Sequence, residues 1–137
     1  MGEINSVTCK NPQCRYHAEV YSGPGFFLFR SQEKVKEGLL NGTIENPQAL
    51  QYLKEGGVLC SVAAYLCPKC RELVTSKRLY MSIRVNSRSR KVVFPFGVPL
   101  CGACHTELTY IPNVRSSRVK CPKCGGPLRA KLSAYYD

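Results

Sequence analysis

CGACHTELTYIPNVRSSRVKCPKCGGPL, residues 101–128, carries two Cys-x-x-Cys pairs, Cys101/Cys104 and Cys121/Cys124, separated by sixteen residues. A tight turn bearing two thiols, a knuckle, supplies half of a tetrahedral site with its backbone already folded around the ion. Sixteen residues is the length of a hairpin, so these two knuckles are expected to face each other across one metal. Cysteines three apart are poorly placed to bridge each other, and a disulfide framework normally pairs cysteines distant in sequence, so the spacing argues for metal ligation over such a framework.

Two more pairs lie upstream: CPKC at Cys67/Cys70, and the wider Cys9/Cys14. Taken in chain order, Cys9, Cys14, Cys67 and Cys70 form a first site and Cys101, Cys104, Cys121 and Cys124 a second. The alternative joins Cys67/Cys70 to Cys101/Cys104 and leaves the outer pairs to each other. Sequential pairing is expected because it needs the less costly loop closures. Eight thiolates fill two tetrahedra, so His17 and His105 are expected outside the coordination spheres, and the ninth cysteine, Cys60, lies in the apolar run VLCSVAAYL at 58–66 as a small hydrophobe. Pro68 and Pro122 preset φ within the CPKC turns, and Gly125 supplies a residue able to take positive φ after the last cysteine. Arg15, Arg71 and His105 stand at the corresponding places of the other knuckles.

The chain between the first two pairs reads as an insertion over about 22–57. SGPG at 22–25 lacks the lysine and hydroxyl of a phosphate loop and reads as a turn. One helix is expected from Ser31, with Val35, Leu39 and Leu40 on one face, ending at Asn41-Gly42. A second is expected from the Asn46-Pro47 cap, burying Leu50 and Leu53 and ending at Gly56-Gly57. Residues 78–85 alternate as a half-buried strand, with Leu79, Met81, Ile83 and Val85 inward. Residues 128–136 alternate likewise, with Arg129, Lys131, Ser133 and Tyr135 on one face. The stretch 85–94 reads as a basic turn or linker, followed by a strand limited by Pro95 and Pro99. Residues 1–84 are then a first ribbon with its helical insertion, 85–98 a basic linker or strand, and 99–137 a second ribbon. The fold class is a small metal-stabilised α+β protein.

A chain of 137 residues with 44% hydrophobic and 21% charged residues is globular in composition and too short for a large catalytic core. No apolar run approaches the roughly 20 residues of a membrane span, and MGEINSVTCK resembles no secretory leader, so the expected compartment is the cytoplasm, with no membrane partner. The net charge of +11 is unevenly spread: residues 1–68 balance, whereas 69–131 hold 14 basic and 2 acidic side chains. Two divalent ions each held by four thiolates would lower the total to about +7. Arg78, Arg84, Arg88, Arg90, Lys91, Arg115, Arg118, Lys120, Arg129 and Lys131, interleaved with Tyr80, Tyr110 and Tyr135, offer phosphate contacts and stacking faces. The expected partner is therefore nucleic acid, RNA or single-stranded DNA.

The 101–128 segment resembles the zinc-ribbon superfamily, and the wider chain looks like small bacterial-type proteins with two zinc ribbons. The resemblance implies structural zinc, two ions per chain, in a nucleic-acid-binding or protein-docking module rather than an enzyme. No paired-carboxylate or Ser/His/Asp grouping is readable, and four cysteines leave no open position for zinc hydrolysis. Two other functions fit the residues: a protein-interaction module docking through the helical insertion or the Phe26–Phe29 run, and a rubredoxin-like iron electron carrier, since four thiolates also hold iron.

Overall fold

The computed structural model describes residues 2–22, 29–87, 89–115 and 119–136. In chain order the elements are β1 (Gly2–Cys9), β2 (His17–Ser22), α1 (Phe29–Asn41), α2 (Pro47–Lys54), β3 (Val58–Cys60), β4 (Ala63–Cys67), β5 (Glu72–Ser76), β6 (Tyr80–Asn86), β7 (Ser89–Val93), β8 (Thr109–Ile111) and β9 (Leu128–Tyr136). The strands form three antiparallel sheets, ordered β2-β1-β9, β3-β6-β7 and β5-β4-β8. The α+β class is as expected. The SGPG turn and the phenylalanine run fall largely on residues 23–28, outside the described residues.

The sheet around β4 is the middle layer, which explains why VLCSVAAYL is apolar without alternation: a strand covered on both faces needs no polar side. Ala64, with Leu73 and Ile111, packs on Val7 and Val20 of the β2-β1-β9 sheet. Ala63, Tyr65 and Cys67 point the other way and pack with Tyr80 of β6, backed by Val92 and Phe94. Below that, Val35, Leu39 and Ala49 of the two helices close over Leu59 and Met81. The helices thus cover the β3-β6-β7 sheet.

Local chemistry sets the helix ends. Asn46 caps α2, its side-chain oxygen accepting from Ala49 N at 3.0 Å, with Pro47 in the first turn. Helix α1 runs through Ser31 instead of starting there. Its apolar stripe is narrower than the sequence suggested: Val35 and Leu39 are buried, but Leu40 is 63% exposed. Ala49 is the fully buried residue of α2, while Leu50 and Leu53 are half-buried.

Three further expectations change. Residues 89–93, read as linker, are β7, paired with β6. No strand forms between Pro95 and Pro99, where the chain turns and Leu100 makes only an isolated bridge to Glu107. Strands of the two expected ribbons are also interleaved, since β1 pairs with β9 and β4 with β8. No described helix is long and apolar enough to cross a membrane.

The narrowed helix face gives a test by chemical unfolding of the metal-loaded protein. Leu39→Ala should cost about 2–5 kcal/mol, whereas Leu40→Ala should stay within about 0.5 kcal/mol.

Candidate metal centres

Pairing of the first and last strands decides which cysteines meet. Cys9 ends β1 opposite Leu128, the first residue of β9, so the knuckle after Cys9 lands beside the knuckle before Leu128. The outer pairs Cys9/Cys14 and Cys121/Cys124 therefore form one tetrad, and Cys67, Cys70, Cys101 and Cys104 form the other. This is the nested arrangement, and it overturns the sequential pairing. Closure entropy was the wrong arbiter: each doubling of a loop costs only about 0.6 kcal/mol, less than an eight-residue strand ladder and the core beneath it supply.

Within each tetrad the sulfurs lie within 4.8 Å of one another. Sγ–Sγ separations are 3.5 Å for Cys9–Cys124, 3.7 Å for Cys14–Cys121, 3.5 Å for Cys67–Cys104 and 3.9 Å for Cys70–Cys101. Disulfide sulfurs would stand at about 2.05 Å, and all nine cysteines are free. A tetrahedron with arms of about 2.3 Å has edges of about 3.8 Å, so both tetrads fit a four-thiolate ion.

Each knuckle closes a hairpin. The first lies between β1 and β2, the second between β4 and β5, and the others are flanked by the bridges Leu100–Glu107 and Lys120–Pro127. In three of them the residue after the second cysteine donates its N–H to the carbonyl of the first: Arg71 to Cys67 at 2.9 Å, His105 to Cys101 at 2.9 Å and Gly125 to Cys121 at 2.8 Å. That hydrogen bond requires the left-handed region, and φ is +57° at Arg71, +60° at His105 and +77° at Gly125. Glycine adopts it freely; Arg71 and His105 hold it against strain. The longer first knuckle closes differently, with Cys14 N donating to Asn11 O and Cys9 N to Tyr16 O, both at 3.0 Å.

The turns aim backbone donors at sulfur. Asn11 N reaches Cys9 Sγ at 3.4 Å, Cys70 N reaches Cys67 Sγ at 3.3 Å and Gly126 N reaches Cys124 Sγ at 3.4 Å. Gly126 has little room to be anything else, because a Cβ there would stand 3.3 Å from Cys124 Sγ. These contacts split the thiols. Hydrogen bonding from Thr106, side chain and backbone, draws Cys104 down to about 6, and the Gly126 N–H draws Cys124 down to about 7. Desolvation pushes Cys9 up to about 12, and the neighbouring thiols push Cys70 up to about 12. In the outer tetrad Cys124 is drawn down while Cys9 and Cys14 are pushed up, and in the inner tetrad Cys101 and Cys104 are drawn down while Cys70 is pushed up; a bound cation removes the resistance of the raised thiols.

His17 and His105 are exposed and in neither tetrad. Residues that support the centres without ligating were missed in the sequence. Arg71, which stands where the last knuckle has Gly125, donates from Nε to Pro122 O at 2.6 Å and from a terminal nitrogen to Lys123 O at 2.7 Å. Lys123 Nζ reaches Cys70 O at 3.3 Å and Glu72 at 3.0 Å. The Tyr16 hydroxyl accepts from Leu73 N at 2.9 Å and lies 3.3 Å from Glu72. No sequence signal could have found these contacts, because they follow from the nested pairing.

The basic and aromatic residues do not form one face. Tyr80 is 5% exposed and packs against Phe94 and Tyr110, with ring centroids 6.1 Å and 5.4 Å away. It is a core residue, corrected from a stacking surface, and Tyr110 belongs to the same cluster. Arg129 and Lys131 pair across from Thr8 and Ser6, but a bulge near Ile4/Asn5 shifts the register so that Tyr135 pairs with Glu3. Glu3 faces opposite to Thr8 and Ser6, so Tyr135, although exposed, is turned away from the two cations. Arg115 is tied to Glu3 at 2.9 Å, and Arg78 donates to Phe96 O at 3.2 Å. Lys120 is exposed beside the last knuckle, and Arg84, Arg90 and Lys91 are exposed on β6 and β7. Arg88 and Arg118 lie outside the described residues.

Thiol counting tests the two tetrads. The loaded protein should hold two metal ions and offer no more than one thiol, Cys60, to an alkylating reagent; a chelator in denaturant should expose all nine. Comparison with profiles of known families, with curated proteins and with solved structures gave no match, so the metal assignment stands on the sulfur geometry itself.

Proposed function

We propose that this chain is a non-enzymatic protein with two structural zinc ions that binds nucleic acid through its β6-β7 ribbon. Cys9, Cys14, Cys121 and Cys124 hold one ion and Cys67, Cys70, Cys101 and Cys104 the other. Bound zinc supplies a cross-link between hairpins, and four thiolates leave it no vacant position for catalysis. Such thiolates persist where thiols stay reduced, which favours the cytoplasm.

One observation carries the nucleic-acid reading: Arg84 pairs directly across from Arg90. Like charges in register destabilise a hairpin. Here the ribbon is exposed from Arg84 to Ser87 and from Ser89 to Lys91, and no acidic residue occurs between Glu72 and Glu107. A polyanion relieves the repulsion. Tyr80 and Tyr110 lie in the core and the exposed Tyr135 is on β9, in a different sheet from the ribbon, which counts against single-strand stacking, and a two-stranded ribbon suits the major groove of a DNA duplex. We therefore propose duplex DNA, in place of the RNA or single-stranded DNA expected from the sequence, as the partner.

Binding of the zinc-loaded protein to a short duplex and to its separated strands, followed by fluorescence anisotropy across salt, tests this. The duplex should bind more tightly, with log K against log[salt] sloping by about −0.9 per phosphate neutralised. Arg84→Glu with Arg90→Glu should weaken binding to all sequences and flatten the slope by about 2. Tyr80→Ala should instead destabilise the fold by about 3–5 kcal/mol. Absence of binding at low salt, or indifference to the double charge reversal, overturns the reading. Stoichiometric iron in place of zinc, visible as colour, would favour electron transfer instead.

A further inference from the structure

The residues immediately after Cys70 touch both knuckles of the other centre. Arg71 donates to two carbonyls of the Cys121/Cys124 knuckle, at Pro122 and Lys123. Two residues on, Leu73 N donates to the hydroxyl of Tyr16, which follows Cys14, and Glu72 faces the same hydroxyl. The contact is reciprocal, because Lys123, inside the outer CPKC, donates back to the carbonyl of Cys70.

We infer that the two metal centres form one cooperative unit, coupled through residues 71–73, so that metal at either centre tightens its retention at the other; the inference rests on the metal reading above.

The physical route is short. Metal at Cys67/Cys70 fixes the turn that puts Arg71 at φ +57°, and from there the guanidinium reaches the second knuckle with two donors. Metal at Cys121/Cys124 in turn holds the Pro122 and Lys123 carbonyls where that fork finds them. Losing either ion releases one side of the clasp, so ordering the first centre lessens the ordering left for the second. Coupling of this kind is symmetric: the factor by which one ion strengthens the other must equal its converse. The two charge-assisted bonds that Arg71 makes to backbone carbonyls carry it with a fixed fork geometry, although Arg71 is exposed like the Lys123–Glu72 pair, whose side chains are 42% and 44% exposed. Glycine would serve the turn at position 71, but only a long cation makes the clasp.

Metal release from the zinc-loaded protein to a chromogenic chelator provides the test. The native chain should release both ions in one phase. With Cys9→Ser and Cys124→Ser removing the outer centre, the remaining inner ion should leave roughly tenfold faster or more. Cys101→Ser with Cys104→Ser should speed release from the outer centre in the same way. Arg71→Ala keeps all eight ligands and should split the single phase into two; in that background, deleting the outer centre should leave inner release unchanged. His105→Ala, at the same turn position but without a cross-contact, should keep the single phase. If Arg71→Ala is unstable, Arg71→Lys keeps the cation but loses the two-donor fork and should split the phase as well. Inner release that is indifferent to the outer centre, with two ions still bound in the native chain, overturns the coupling alone. A chain that binds no metal overturns the reading beneath it.

Discussion

The antiparallel ladder between β1 and β9 is the constraint on which everything else depends. It joins residues 2–9 to residues 128–136, and with that register set, the Cys9/Cys14 knuckle can meet only the one before β9. The middle knuckles are left to each other, β4 to β8 supplying their ladder. The inner tetrad then sits against the Tyr65 and Tyr80 cluster, with Cys67 and Cys101 buried in it, while the outer tetrad ends on the exposed Cys124. The two centres differ in solvent access because the ladder assigns one to the interior and the other to the rim.

Much of the inventory was legible in the sequence, and little of the connectivity. Spacing alone picked out the eight cysteines that form the two tetrads, because a turn presenting two sulfurs has few other uses in a chain this short. Helix α2 was legible from Asn46-Pro47, a local signal with a local cause. Pairing of knuckles is a long-range property. It turned on which strands find each other, and β9 carries alanines and lysine where a central strand would advertise itself with branched residues. Loop entropy favours sequential pairing, but it grows only logarithmically with length, and the β1–β9 ladder outweighs it.

The tyrosines failed for a related reason. Alternation predicts two faces, and along 78–85 it placed Tyr80 outward with the arginines. In the fold β6 lies between β3 and β7, with β4 on one face and the helices on the other, so Tyr80, Met81 and Ser82 are all buried in succession. Further along the same strand the ribbon leaves the body and Arg84, Val85 and Asn86 are all exposed. Period-two reasoning assumes a strand whose surroundings stay constant along its length, and β6 passes from interior to solvent within seven residues. At β9 the pattern was read correctly as far as Lys131, and a single bulge then exchanged the faces.

The separation of the outer ligands has a consequence for biosynthesis. Cys14 and Cys121 lie 107 positions apart, so at about 5–20 residues per second a nascent chain carries Cys9 and Cys14 without their partners for several seconds or more, and the inner set is complete at Cys104, before either partner has been made. During that interval the amino-terminal thiols are open to oxidation and to capture of stray metal in partial sites. The outer tetrad is therefore the later of the two to gather its thiols, and the first hairpin waits for its last strand until synthesis has passed residue 128.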